Sequence, residues 1–358
     1  MKTGKLDSPI VIDGTMKVVY DSGELVSAQT SITIPNLNGD VDGEYELICR
    51  IVAGADSNGL YIRPNNDTGN NYGYQYTQGA DVTVSANRSI SSSAIFLAIT
   101  GASNTGHIQF VRIKINTKSG YVRTFIASLV EGINTTTINN VDSIGASWNN
   151  TIDNITSLVL FPNQTNGFGI GSRIILLKKV TSTGIKTGNL SVQGKIYGVW
   201  EEIYTNTLAA AATSVTISSL TGNTDVLYRL RARIINGYNG ISNYFCRPNN
   251  ISTADNYGFQ YINAINVTVA AGRGTNTGFY LVGIGALGAI GFFDKIIFSK
   301  AGYVRTSISE NSQEALDLML IGSSWNNTSD EITSLVVLAS QANGLGIGTN
   351  IVLERLNL

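Results

Sequence analysis

Residues 144–160 read IGASWNNTIDNITSLVL, and residues 321–337 read IGSSWNNTSDEITSLVV. The two stretches agree at 13 of 17 positions with an offset of 177. Self-similarity over such a distance marks repeated structural units, and the correspondence holds on working outward. Arg63-Pro64-Asn65-Asn66 returns as Arg247-Pro248-Asn249-Asn250, and Tyr72-Gly73-Tyr74-Gln75-Tyr76 as Tyr257-Gly258-Phe259-Gln260-Tyr261. Gly120-Tyr121-Val122-Arg123-Thr124 returns as Gly302-Tyr303-Val304-Arg305-Thr306. The closing Gly167-Phe168-Gly169-Ile170-Gly171-Ser172 matches Gly344-Leu345-Gly346-Ile347-Gly348-Thr349, and Thr3-Gly4-Lys5-Leu6 matches Thr187-Gly188-Asn189-Leu190. Offsets drift between about 177 and 185, because loops change length while strands keep their order. The chain is a tandem duplication broken near Thr183-Gly184. Residues 1–183 make the first repeat with an N-terminal segment; residues 184–358 make the second, preceded by a short Gly-rich strand or linker at 184–199.

Composition narrows the function. Of 358 residues only 14% are charged, with a formal net charge of −1, against about a quarter charged in ordinary globular proteins. A hydrophobic content of 43% supplies a substantial core and argues against disorder. Near-zero charge argues against a non-specific nucleic-acid binder, which needs a basic face. No window approaches 18 uninterrupted apolar residues, so no membrane-spanning helix is expected. The N-terminus carries Lys2 and Lys5 without an apolar stretch behind them and does not read as a secretory signal.

The residues that usually perform chemistry are nearly missing. His107 is the single histidine and has no counterpart in the second copy. Cys49 aligns with Ala232 and Cys246 with Ile62, so the fold requires neither thiol. A duplicated Ser-His-Asp site is therefore excluded. Asp153/Asp330 is the clearest acid shared by the copies, and one acid per unit is not the carboxylate pair of a glycosidase. The expectation is a protein that is not an enzyme, with no catalytic, cofactor-binding or metal-binding residues.

Short Val/Ile/Tyr/Thr-rich stretches between Gly/Asn/Asp/Ser clusters carry the strand-and-turn pattern. Ser31–Pro35 and Ser214–Ile217 alternate polar with apolar at the period of a strand buried on one face. Roughly eight strands per copy are expected, over 31–35, 45–51, 72–76, 95–99, 109–116, 124–128, 155–161 and 174–178. Turn spacing favours a sandwich or jelly roll over a parallel α/β sheet. The fold class is all-β: two tandem antiparallel β-sandwich, jelly-roll-like domains. Ser309–Leu320 is the best helix candidate, a surface insertion of one or two turns with Ser309 as N-cap.

Several shared motifs admit a ligand-contact reading beside a structural one. Tyr72, Tyr74 and Tyr76 share one strand face, either as core or as a platform for sugar rings; Phe259 in place of Tyr74 points towards core, and Tyr261 repeats Tyr76. Trp148 and Trp325 sit in Ser-Trp-Asn-Asn-Thr, where an amphipathic ring anchors a sandwich edge or meets a ligand. Arg123 and Arg305 are expected to pair with Asp153 and Asp330, or else to face a partner or an acidic sugar. The loops 64–71 and 248–256 offer oxygen ligands of the kind calcium accepts. Their acids differ in position, Asp67 against Asp255, so ordinary turns are the first reading and calcium the alternative. Gly344–Gly348 is a glycine turn rather than a nucleotide loop, because no helix pattern follows it.

Taken in order, x-Arg-Pro-Asn, Asn-Tyr-Gly-Tyr/Phe-Gln, Gly-x-x-Arg, Gly-x-Ser-Trp-x-Asn-Thr and Gly-x-Gly-Ile-Gly resemble a β-sandwich module of tailed-bacteriophage structural proteins. The resemblance covers both units. It implies a virion component of the tail, fibre or baseplate, made in the host cytoplasm and carried on the particle exterior. Thr187–Gly198, with Thr3–Val18 in the same style, is similar to segments that wind into trimeric fibre shafts. The partners so implied are the chain itself as a homo-oligomer, most simply a trimer, other virion proteins, and host-surface polysaccharide, with neither nucleic acid nor membrane. A capsid-decorating head-fibre protein and a lectin-like carbohydrate-binding protein are the alternatives. On the carbohydrate reading the contacts would be Trp148, Trp325, Tyr74, Tyr76, Tyr261, Arg123 and Arg305.

Overall fold

The structure, a computed structural model, describes residues 16–56, 59–98, 105–134, 136–179, 198–253, 256–265, 268–313, 317–356 and 358. The first copy contributes β1 (Met16–Asp21), β2 (Ile32–Ile34), β3 (Glu44–Val52), β4 (Leu60–Pro64), β5 (Tyr72–Ala80), β6 (Thr83–Ser92), β7 (Ile95–Ala98), β8 (Ile108–Asn116), β9 (Arg123–Ile133), β10 (Asn140–Trp148), β11 (Leu158–Pro162) and β12 (Arg173–Lys179). The second contributes β13 (Trp200–Thr207), β14 (Ser214–Ile217), β15 (Leu227–Ile235), β16 (Ser242–Pro248), β17 (Tyr257–Ile265), β18 (Thr268–Asn276), β19 (Phe279–Ile284), β20 (Ile290–Phe298), β21 (Arg305–Gln313), β22 (Asp317–Trp325), β23 (Leu335–Ala339) and β24 (Asn350–Leu356). Among the described residues only a single helical turn interrupts each set, at Gly39–Asp42 and Gly222–Asp225.

Each copy is an antiparallel sandwich of an eight-stranded and a four-stranded sheet. The orders are β1-β12-β3-β8-β9-β10-β5-β6 over β2-β11-β4-β7, and β13-β24-β15-β20-β21-β22-β17-β18 over β14-β23-β16-β19. Strand for strand the two topologies are the same, as the repeat requires. Twelve strands replace the eight expected per copy. Among those missed, β6 (TVSANRSISS) is a polar strand with little burial, and β10 is the quoted Ile-Gly-Ala-Ser-Trp stretch itself. The helix expected at Ser309–Leu320 is not formed: β21 and β22 pair antiparallel through it, Ser309 opposite Ile321. Ser307, Ser309 and Asn311 point inward and are buried. Polar residues on the core side had hidden the period-two pattern.

Each sandwich has its own core, built on Leu47, Val111, Ile144 and Leu160 in the first copy and on Leu230, Ile297, Val337 and Leu353 in the second. A third core lies between the copies. It joins Ile48, Phe110, Val130 and Ile175 to Leu227, Ile296, Phe298 and Ile308, with the Phe110 and Phe298 rings edge-on at 5.2 Å. The outer faces of the two long sheets thus stack on one another, giving four layers. This explains β3, whose residues 45–51 are all buried, the charged Glu46 and Arg50 included: both faces of the strand are covered. Gly171, at φ +87°, lies so close to Tyr303 of the second copy that a Cβ would come within 2.6 Å of its ring.

Equivalent positions meet across this interface with opposite charge. By strand register Glu46 and Arg112 of the first copy correspond to Arg229 and Asp294 of the second. Arg112 binds Glu46 at 2.7 Å and reaches Asp294 at 3.4 Å, while Arg229 holds Asp294 at 2.7 Å. Burial alone would lower the Arg112 pKa, but Glu46, Asp294 and Glu310 outweigh it and raise it. Two identical faces would set like charges together here; the diverged copies complement one another.

Candidate functional site

The repeated Trp turns belong to the core. Trp148 and Trp325 are both fully buried. Their rings stack on Tyr72 at 6.4 Å and on Tyr257 at 6.0 Å, and the Trp148 Nε1 donates to Asp67 Oδ2 at 2.8 Å. Arg123 and Arg305 lie over these rings, 5.3 Å from each centroid. Their guanidinium groups donate to the backbone carbonyls of Asn150 and Asp153, and of Asn327 and Asp330. The expected partners were the carboxylates, but the arginines instead satisfy carbonyls that the turn leaves unpaired. The Asp153 and Asp330 carboxylates accept from Asn150 and Asn327 within their own turns. As ligand contacts Trp148, Trp325, Arg123 and Arg305 are therefore corrected: they bind the turn to the sheet and line no surface.

The first oxygen-rich loop is likewise a turn. Asn65 and Asn66 take left-handed φ values of 53° and 52°. The Asp67 carboxylate accepts from the Gly69 backbone N–H, the Asn71 amide and the Trp148 indole. Both of its oxygens are occupied by protein donors, two in the loop and one on β10. Asp255 lies outside the described residues, as do Thr187–Tyr197 and most of Thr3–Val18 with their shaft-like pattern.

The tyrosine stripe leads to a site. Strand alternation turns Tyr257, Phe259, Tyr261 and Asn263 of β17 towards the short sheet. That sheet ends at β19, which packs against β17, β20, β21 and β22. Tyr257 is roofed and fully buried, whereas Phe259 and Tyr261 project past the edge and stay half-buried. Tyr280 of β19 completes the wall. Phe259 lies 6.2 Å from Tyr261 at 10° and 5.7 Å from Tyr280 at 32°. Together with Asn263, Gln313 and Asp317 they line a cleft of 490 Å³.

Two buried acceptors of the cleft are left unpaired. Gln313 is held by the β19 end, donating to the Gly283 carbonyl at 3.0 Å and accepting from the Gly285 N–H at 3.2 Å. Asn263 is 9% exposed, and its Oδ1 has no partner. One Asp317 carboxylate oxygen, Oδ1, is also buried without a partner, and burial raises the pKa of its carboxyl above the ordinary value. The Tyr280 hydroxyl is pushed up to about 12, by burial first and then by Tyr261 and Asp317.

The first copy keeps the aromatic set and closes it. Tyr61, Tyr74 and Tyr76 surround Phe96 at 5.4, 5.7 and 5.9 Å, and Tyr76 and Phe96 are buried. Where the second copy has Gln313, Asp317 and Met319, the first has Glu131, Asn140 and Asp142. Asp142 is hydrogen-bonded to Glu131 and Gln78, and burial dominates, raising its pKa to about 7. Of the residues read from sequence, Tyr261 lies in the open cleft, Tyr74 is half-buried against the first core, and Tyr76 is inside it. Tyr280, Asn263, Gln313 and Asp317 were missed. The clue was an aromatic residue at both Phe96 and Tyr280, on the strand facing the stripe.

No protein-family model matches the chain, and no curated protein matches it. Among solved structures it is similar to domains LG4-5 of the mouse laminin alpha1 chain, with 13% identity, TM-score 0.20, and coverage of 98% of this chain and 92% of that one. The LG1-3 region of the laminin alpha2 chain gives 7% identity and TM-score 0.21 over 91% of this chain and 64% of that one. At these scores the likeness assigns no function. What the molecule itself carries of the resemblance drawn from sequence is the β-sandwich.

Proposed function

We propose that this chain is a non-enzymatic carbohydrate-binding protein, carried on the exterior of a tailed-phage particle, whose saccharide site is the aromatic cleft of the second unit. The observation that carries the reading is the half-buried trio Phe259, Tyr261 and Tyr280, the first two past the edge of the short sheet and Tyr280 on its edge strand, above a floor of amides. Its volume falls within the roughly 300–1,000 Å³ of small-ligand sites, which combine apolar walls with a few placed polar groups. Aromatic faces offer flat apolar area with a polar tip, matching the apolar faces and hydroxyl rims of sugar rings. The virion setting rests on the motif resemblance, and homotrimeric assembly on the shaft-like pattern of Thr187–Gly198. Both thiols are fully buried, with pKa values raised by burial, which fits a binding rather than a catalytic role.

The test is a glycan array probed with the whole chain, followed by titration of the best hit against Tyr280→Ala. Binding by the wild type and a loss of about tenfold or more, roughly 1.4 kcal/mol, supports the reading. An array without signal, or a variant that binds like the wild type, overturns it.

A further inference from the structure

Among the described residues, the buried polar atoms left unpaired at this cleft are acceptors. Asp317 Oδ1 and Asn263 Oδ1 are both buried without a partner. The Asn243 Oδ1 receives the Tyr280 hydroxyl at 3.5 Å, and Gln313 is bound to backbone. Among the described residues no basic side chain pairs with Asp317, and burial alone accounts for the displacement of its titration. A buried acceptor left unmade costs the desolvation of that group, about 1–3 kcal/mol and more for a charge. The ligand that relieves these atoms has to bring donors and positive charge. Around them stand three aromatic rings, whose negative faces attract a cation within about 6 Å of the centroid, the arrangement that recognises ammonium groups.

We propose that the cleft selects a cationic saccharide: a hexosamine unit bearing a free ammonium group, seated between Phe259, Tyr261 and Tyr280 with the ammonium on Asp317 and Asn263. This rests on the carbohydrate reading above and names its substrate class. The repeat supplies an internal contrast. The first unit has Asn140 at the position of Asp317, and its acids Glu131 and Asp142 are turned into the core and bonded to each other. The acid that opens onto the aromatic wall belongs to the second unit.

Asn140 also shows that this position accepts an amide, so Asp317→Asn is a substitution the fold already tolerates. The whole chain is titrated calorimetrically with a β-1,4-glucosamine tetramer, with its fully N-acetylated counterpart, and with choline. The expected result is at least tenfold tighter binding of the free amine than of the acetylated tetramer. In Asp317→Asn that preference disappears, because affinity for the free amine falls at least tenfold. Equal affinity for the two tetramers, or a preference that survives Asp317→Asn, overturns the cationic assignment and leaves saccharide binding standing. Choline binding that is sensitive to Asp317→Asn, with neither tetramer bound, upholds ammonium recognition but overturns the assignment to a saccharide and the carbohydrate reading beneath it.

Discussion

Replacing Arg112 by methionine keeps much of the apolar stem and removes the charge at the centre of the four-layer stack. Arg112 is 3% exposed along its side chain, and it bonds Glu46, itself 6% exposed, at 2.7 Å. Asp294 retains Arg229 at 2.7 Å, so the group stranded by the change is Glu46. Removing one partner of a buried pair costs about 3–5 kcal/mol, because the remaining charge stays uncompensated. Glu46→Leu combined with Arg112→Met removes both charges, and an apolar replacement of a buried pair is neutral or stabilising. The assay is urea unfolding followed by tryptophan fluorescence. The single variant should lose on the order of 1 M in midpoint, taking a slope of about 3 kcal/mol/M, and the double variant should recover most of it. A single variant within about 1 kcal/mol of wild type, or a double variant as unstable as the single, refutes the reasoning.

Lys295 is fully buried at the position of Ile113, 3.4 Å from Ser323 Oγ, and burial lowers its pKa to about 7. Its folded value lies below its unfolded one, so the unfolded chain binds the extra proton from pH 7 to about 10.5 and stability rises with pH across that window. Lys295→Ile should stabilise the chain at pH 7 and remove up to ~1.4 kcal/mol per pH unit of that slope, read by denaturation at several pH values. Asp142 runs the other way. Its folded pKa is raised by burial to about 7, so the folded chain binds the extra proton and stability falls as pH rises from about 4 to 7. Asp142→Asn should flatten that decline in the same assay. Cys49 and Cys246, fully buried with raised pKa values, should react with a thiol reagent only at the rate of unfolding; rapid labelling in buffer would contradict their burial.

The repeat made the sandwich, the strand-rich class and the turn chemistry of Asn65–Asp67 legible, because periodicity and Asx turns are local signals. Two things were hidden. The stacking of the long sheets was hidden in Glu44–Val52 and Ile108–Asn116, which are covered on both faces yet carry Glu46, Arg50, Gln109 and Arg112 among their apolar residues, so their pattern reads as strands with one face open to solvent. The open cleft was obscured by Ser307, Ser309 and Asn311, which are core-facing and polar, so the β21–β22 hairpin that places Gln313 and Asp317 resembled a helix start. Arg123 and Arg305 were visible as shared residues. That their partners are carbonyls follows from the path of the Trp turn, which no residue pattern specifies.

The most direct test of the saccharide site is the crystal structure of the whole chain grown with a glucosamine oligomer. The account predicts a sugar ring in the second unit, packed on Phe259, Tyr261 and Tyr280 within hydrogen-bonding distance of Asp317, and none at Tyr74 and Phe96 of the first. An empty cleft at saturating oligomer, or a sugar bound elsewhere on the molecule, would contradict it.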